Sequence, residues 1–371
     1  MSRNSNIDKH SFFTKILFGF ILCSCSVSNE YYEPDTLKQV KLEFNVADKE
    51  SQFIDSILTG DIVGVHACDN YVIVLTNTSG SLINIYDVST NKKISSFGDK
   101  GNAKNEFNDM FYHTYIKNEN GNTYLYVTQA KGAITKVVDL NKSLLQNNCC
   151  IYKVIKHNEN ASGLFFKPFF LDSTTLFCYK EVSYTDIRDK IFCAPTITMY
   201  KDGKCNVKNI YPKTIKNEMI NAVMAAYSAK MSISPDFTKF VHALKFVDIV
   251  DILNLQTMEN IGIVNPDSYD FEYFENRITE SNFSETLKLY NADVYAGDDH
   301  FFLLKTTGKT LKFLNENMGK PYKKYIFMYD WNGALINSFG IKDGWSHIAY
   351  NEKSRTLYGA CDDGRLFCIK L

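Results

Sequence analysis

Histidine is the residue type through which this chain could most readily do chemistry. His66, His113 and His347 lie in three short segments, DIVGVHA, MFYHTYI and WSHIAY, each dense in β-branched and aromatic residues. A neutral imidazole is a common metal ligand and an imidazolium is a partner for anions, so three that converge would make a site for a divalent metal or an anionic ligand. Held apart, the same three are partly buried structural histidines. No established catalytic pattern competes with them: the chain has no G-x-S-x-G elbow, no H-E-x-x-H and no EF-hand loop. TTGKT at 306–310 ends like a phosphate loop, but Leu303 stands where the first glycine is required, so it reads as a turn. No cofactor is expected.

What the histidines do depends on the elements that carry them, and those are strands in sets. DIVGVHA, NYVIVLTN, LINIYDV and KISSFG follow one another across 61–98, separated by short polar turns, as expected of one antiparallel sheet. Similar sets fill 110–155, 164–211, 225–264 and 290–340. The last set, WSHIAY, TLYGAC and RLFCIK, has only three strands, and LKQVKLEFNV at 37–46 is available as its fourth. Four-stranded sheets recurring at roughly 47 residues predict an all-β, six-bladed β-propeller of four-stranded antiparallel blades, spanning 37–371, with an N-terminal strand completing the last blade.

Two look-alike stretches support that reading. IYDVSTNKKISSFGDKG at 85–101 and MYDWNGALINSFGIKDG at 328–344 each run apolar-Tyr-Asp, turn, Ser-Phe-Gly. They read as the same joint in two blades, with Tyr86 equivalent to Tyr329 and Phe97 to Phe339, rather than as two glycine-rich ligand loops. In this frame His66, His113 and His347 sit in the first strands of the first, second and sixth blades. First strands line a propeller's channel, so side-chain alternation decides whether the imidazoles reach it.

Three insertions interrupt the pattern, at about 212–223, 265–289 and 306–323. The first predicts a short helix. The second, acidic and aromatic, is either a binding surface on one face of the disc or a loop that packs its own Tyr and Phe.

The N-terminus reads as an address. Arg3, Lys9 and Lys15 precede the short apolar run ILFGFIL, too short to span a bilayer as a helix. Leu22-Cys23-Ser24-Cys25 then resembles a bacterial lipobox, which predicts a signal peptide at 1–24, a diacylglycerol anchor on Cys25 and a tether at 25–36. The alternative is an ordinary cleaved signal with incidental cysteines. Cleavage removes Arg3, Lys9, Lys15 and Asp8, taking the formal charge from −1 to −3, and the body shows no basic run, which argues against a nucleic-acid partner. The remaining cysteines form no C-x-x-C pair and mostly sit in apolar segments, as small buried hydrophobes do.

The stretch AAYSAKMSISPDFTKFVHALKFVDIVDILNL resembles the TolB-like six-bladed propeller lipoproteins of Bacteroidota, through Ser234-Pro235-Asp236 followed by Thr238, Lys239 and Phe240. SSFGDKGNAKNEF resembles their F-G-x-x-G-x-G-P-G-E-F linker at Phe97, Gly98, Gly101, Glu106 and Phe107, with Ala103-Lys104-Asn105 in place of its Gly-Pro-Gly core. The resemblance implies an outer-membrane lipoprotein of the bacterial envelope and no defined reaction. The expected function is a non-catalytic binding or scaffold module, attached to the membrane by lipid and partnered by an envelope protein or glycan. The alternative is an envelope enzyme, a metal-assisted hydrolase or lyase working in the channel.

Overall fold

The computed structural model describes residues 30–57, 62–77, 80–108, 111–129, 134–157, 166–181, 183–186, 191–217, 219–266, 270–317, 320 and 322–371. The signal peptide, the lipobox, Cys25 and residues 25–29 of the expected tether lie outside them.

Two strands precede the ring, β1 (Thr36–Gln39) and β2 (Gln52–Ser56). Blade 1 is β3 (Ile62–Cys68), β4 (Tyr71–Thr76), β5 (Ile83–Asp87) and β6 (Lys93–Phe97). Blade 2 is β7 (Phe111–Glu119), β8 (Asn122–Gln129), β9 (Ile134–Asp139), helix α1 (Leu140–Gln146) and β10 (Ile151–Lys156). Blade 3 comprises β11 (Phe166–Phe170), β12 (Thr175–Lys180), a side hairpin of β13 (Ser183–Asp186) and β14 (Ile191–Cys193), then β15 (Thr196–Lys201) and β16 (Lys204–Lys208). Helix α2 (Ile220–Ala226) leads into blade 4, β17 (Ala229–Ile233), β18 (Lys239–Leu244), β19 (Ile249–Asn254) and β20 (Asn260–Val264). Helices α3 (Glu272–Asn276) and α4 (Phe283–Thr286) precede blade 5, which is β21 (Lys288–Ala296), β22 (His300–Thr310), α5 (Leu311–Glu316), β23 (Lys324–Asp330) and β24 (Leu335–Ile341). Blade 6 is β25 (His347–Asn351), β26 (Thr356–Ala360) and β27 (Arg365–Lys370), with β2 as its outer strand.

The six-bladed propeller is therefore as the sequence predicts, closed by an N-terminal strand, but a different segment closes it. β2 pairs antiparallel with β27, Gln52 opposite Cys368. The expected closing strand at 37–46 instead begins as β1, parallel to β20 on blade 4, with Thr36 opposite Ile261. Val40, Leu42, Phe44 and Val46 then pack into the wedge between blades 4 and 5, and Phe44 meets Tyr325 and Phe327 edge-on. Farther on, Gly340 N donates to Ala47 O (3.0 Å) and Lys49 N to Gly340 O (2.9 Å), so the chain rides the outer edge of blade 5 before reaching blade 6. Alternating hydrophobicity shows that one face of a segment is buried, not against which sheet. The described part of the expected tether is packed too, with Tyr31 and Tyr32 fully buried in the core that joins blades 2, 3 and 4.

The core lies in the wedges between neighbouring blades. Val72, Val74 and Tyr86 of blade 1 pack on Tyr358, Ala360 and Leu366 of blade 6, and Phe302, Leu304 and Ile326 of blade 5 pack on Ile348, Leu357 and Phe367. Second strands are buried on both faces, which is why NYVIVLTN reads as a continuous apolar run. The two look-alike joints are equivalent: Phe97 pairs with Ile83 and Phe339 with Ile326, while Tyr86 and Tyr329 are both buried. Gly98, at φ +84°, releases the chain beside the Phe107 ring. The Ser234-Pro235-Asp236 turn joins β17 to β18 as the family resemblance implies, with Ser234 Oγ accepting from Lys239 N at 2.9 Å. The cysteines with described side chains are free thiols, four of them buried.

Antiparallel alternation puts all the helices but α1 on one face. That face carries the blade-to-blade connections and the turns between second and third strands; the opposite face carries the turns between first and second strands. α2 touches α3, and α4 touches α5, where Lys312 pairs with Glu285 at 2.9 Å. Thr310 starts α5 by accepting from Phe313 N through its hydroxyl. The aromatic residues of the acidic insertion point inward: Phe271 and Phe274 are buried in the core, so this segment packs its own rings.

Candidate functional site

The first strands surround a central channel that contains two cavities. The upper one, about 400 Å³, opens on the face of the first-to-second turns and is lined by β3, β7, β11, β17, β21 and β25, one strand from every blade. The lower one, about 380 Å³, opens toward the helical face beneath α5. Lys230, Lys245 and His347 line both, so they form the waist where the cavities meet.

His66, His113 and His347 all line the upper cavity. They are not equivalent there. His66 Nε2 is 2.8 Å from Thr114 Oγ1 on the neighbouring blade. His113 shares the buried face of β7 with Phe111 and Tyr115, and its ring meets Phe169 of blade 3 edge-on at 4.5 Å. Its Nε2 is buried with no hydrogen-bond partner among the described residues. His66 and His113 are near neighbours, whereas His347 sits at the waist among lysines. Burial drives all three toward the neutral form. It lowers His66 to about 4, and it holds His113 and His347 well below the usual imidazole range, helped by Lys167 and His66 for the former and by Lys230 and Lys324 for the latter. Among the described residues, no group of three or more His, Cys, Asp or Glu side chains is arranged to hold a metal ion.

Charged side chains that the sequence reading passed over make up most of the polar wall. Lys167 and Glu181 of blade 3 form an ion pair at 2.5 Å, and Tyr112 Oη donates to the same carboxylate at 2.6 Å. Lys230 Nζ is 3.7 Å from Asp293 Oδ1, and Asp293 Oδ2 accepts from Ile348 N at 2.9 Å. At the upper mouth Asp69, Asp298 and Glu352 gather on three first-to-second turns. Burial raises the carboxyls of Asp298 and Glu352, reinforced by repulsion from Asp299, Asp236 and Asp69 for the former and from Asp298 and Asp299 for the latter. Glu352 Oε1 accepts from Asp298 N at 2.9 Å. The lower cavity has the opposite character. Lys320, Lys324 and Arg365 line it with Lys230 and Lys245, against Asp362 and Asp363. Lys324 Nζ donates to the carbonyl of Trp345, and Arg365 Nε to Asp363 Oδ2 at 2.8 Å. The signal for some of these residues was present in the sequence. Lys230 and Asp293 are single charges inside otherwise apolar first strands, AKMSI and NADVYA.

The arrangement suits binding better than proton transfer. The Thr114 hydroxyl on His66 is its nearest approach to a nucleophile–base pair, but burial lowers the His66 pKa and, among the described residues, no carboxylate orients the ring. A base with a pKa of about 4 is poorly matched to activating a hydroxyl near neutrality.

Solved structures share the fold. A member of the DUF4221 family from Bacteroides vulgatus superposes with a TM-score of 0.53 over 89% of this chain and 98% of its own, at 11% identity. A protein from Bacteroides fragilis described as exported gives 0.51 over 90% and 97%, at 10% identity. No protein-family model matches the sequence, and no curated protein matches it.

Proposed function

We propose that this chain is an exported binding module of the bacterial envelope, anchored by lipid on Cys25, whose ligand site is the central channel. The observation that carries the reading is the upper cavity, to which every blade contributes its first strand and where the buried histidines stay neutral. Export is supported by the lipobox-like sequence, by the blade joints that resemble TolB-like lipoproteins and by the exported Bacteroides fragilis protein of the same fold. Among the described residues no helix is long and apolar enough to cross a membrane, so a lipid would be the attachment.

Native mass spectrometry of protein extracted from its own envelope tests the channel. The wild type is expected to retain a small molecule that Met231→Trp, which fills the upper cavity, releases. Identical masses for the two proteins would count against a channel ligand. Cys25→Ser should move the protein from the membrane to the soluble fraction, and an unchanged distribution would remove the anchor.

The enzyme reading keeps one observation, the three histidines on one cavity wall. Metal analysis of the purified protein together with His66→Ala and His113→Ala decides it. No bound divalent metal, and no activity lost, leaves the binding module alone.

A further inference from the structure

The waist differs from the other charged places in the protein in the balance of its charges. Lys245 follows β18 at the turn into β19, and its ammonium makes no ion pair among the described residues, only an approach to the Phe246 ring at 5.4 Å. Lys324, at the start of β23, spends its ammonium on backbone carbonyls. Lys230 has only the long contact to Asp293, and that carboxylate is shared with the backbone of Ile348 and approached by His347 Nδ1 at 3.8 Å. Lys230 and Lys245 thus face one carboxylate where the two cavities meet, and Lys324 adds a third cation just below, in the lower cavity. Of the next acidic groups, Glu181 is held by Lys167 and Tyr112, and Asp362 lies below the waist, facing Lys324 in the lower cavity. Burial, then the neighbouring Lys230 and Lys167, pushes Lys245 down to about 8, and burial does the same to Lys324. Cations crowded without counter-charge respond in this direction.

The channel is also polarised along its axis. Asp69, Asp298 and Glu352 ring the upper mouth, while Lys320, Lys324 and Arg365 line the lower cavity beneath α5. An anion is repelled at one end and drawn in at the other.

We infer that the waist formed by Lys230, Lys245 and His347 binds a small organic polyanion carrying carboxylate or phosphate groups, admitted from the helical face past Lys324. The inference rests on the channel being the ligand site and names the chemistry of what it takes. Lys245 and Lys230 supply charge, the neutral His347 ring supplies a hydrogen-bonding wall, and Asp293 fixes Lys230. Two or more anionic groups are needed to answer Lys230 and Lys245 of blade 4 together with Lys324 of blade 5.

Citrate and inorganic pyrophosphate are the probes, titrated calorimetrically against the wild type, Lys245→Met and the control Lys353→Met, whose lysine lies away from the waist on the β25–β26 turn. Both probes are expected to bind the wild type, more weakly as salt is raised, and whichever binds tighter identifies carboxylate or phosphate as the preferred group. Lys245→Met keeps the apolar stem and should bind about tenfold more weakly, the loss of one charge-assisted contact. Lys353→Met should bind as the wild type does. Equal affinity in Lys245→Met, or no binding of either probe to the wild type, overturns the inference. The channel reading fails separately. If native mass spectrometry finds a neutral or cationic molecule that Met231→Trp releases, while citrate and pyrophosphate do not bind, the channel is a ligand site and only its anion preference falls.

Discussion

Tyr32 Oη donates a hydrogen bond to Oδ1 of Asp251, a carboxyl wholly buried in blade 4 and 219 residues further along the chain. Asn260 Nδ2 donates to the same oxygen at 3.0 Å, and Gly262 leaves the room the tyrosine needs, since a Cβ there would stand 2.1 Å from its hydroxyl. The phenol thus seats the N-terminal segment in the blade. Tyr32→Phe keeps the ring and removes one of the two donors to a buried carboxyl oxygen. It should lower stability by about 1–3 kcal/mol, read from the urea midpoint at constant m-value, whereas an unchanged midpoint would show that the hydrogen bond contributes nothing net.

Closure of the ring should be separable from the ring itself. A chain beginning at residue 58 lacks both β1 and β2, leaving the β27 edge unpaired and the wedge between blades 4 and 5 uncovered. Such an edge is a template for association. This truncation is expected to oligomerise and bind a hydrophobic dye, and a peptide of residues 30–57 supplied in trans should restore a monomer with cooperative unfolding. A monomeric truncation with wild-type unfolding would refute the role of the closing strand.

Gly359 gives a sharp steric test. In β26 a Cβ at this position would stand 1.9 Å from the ring of the fully buried Trp345. Its backbone is not left-handed, so Gly359→Ala is an overpacking change alone. It should cost about 3 kcal/mol. Gly121, at φ +78° with nothing near its Cβ position, should cost only about 1–2 kcal/mol on change to alanine, for backbone reasons. Denaturation midpoints that reverse this order would contradict the packing.

The buried titratable groups predict how stability follows pH. Burial lowers His66 to about 4 and His242 to about 3, and holds His113 and His347 well below 6.5. Below pH 6.5 the unfolded chain takes up protons that the native state refuses. The histidine contribution is therefore full above pH 6.5 and is lost toward pH 4, at up to about 1.4 kcal/mol per pH unit for each group. Asp251 works the other way. Burial raises it to about 7, so its contribution is full below pH 4 and is lost as pH rises through 7. Asp251→Asn removes this opposing slope, and its urea midpoint should fall more steeply than the wild type's between pH 7 and pH 5. Parallel slopes would mean that Asp251 does not change its charge in this range.

What the sequence made legible follows from how local each pairing is. Apart from the closing β2 of blade 6 and the hairpin inserted in blade 3, each blade is built from strands that pair with their sequence neighbours, so alternation, turns and spacing place His66, His113 and His347 on first strands without long-range information. The N-terminal belt escaped because β1 is short, largely exposed and pairs with a strand 225 residues away, and nothing in TLKQ announces that partner. The acidic insertion left two readings open, a binding surface or a loop that packs its own rings. Its charges suggested a surface, but Phe271 and Phe274 carry the packing. Lys230 and Asp293 were visible as charges inside apolar strands, yet only the folded ring shows that Lys245, on the β18–β19 turn, and Lys324, at the start of β23, stand beside them.

The path of residues 30–56 around three blades also decides how this protein bears force. A pull on the chain upstream of Glu30 reaches first the buried Tyr31 and Tyr32, and then the parallel β1–β20 pair, whose hydrogen bonds lie across the direction of pull and must yield together. Only after those fail does the load reach β2, the strand that keeps the ring shut. A molecule held at its N-terminus can therefore be tugged without its channel opening, because the closing strand sits behind two other holds.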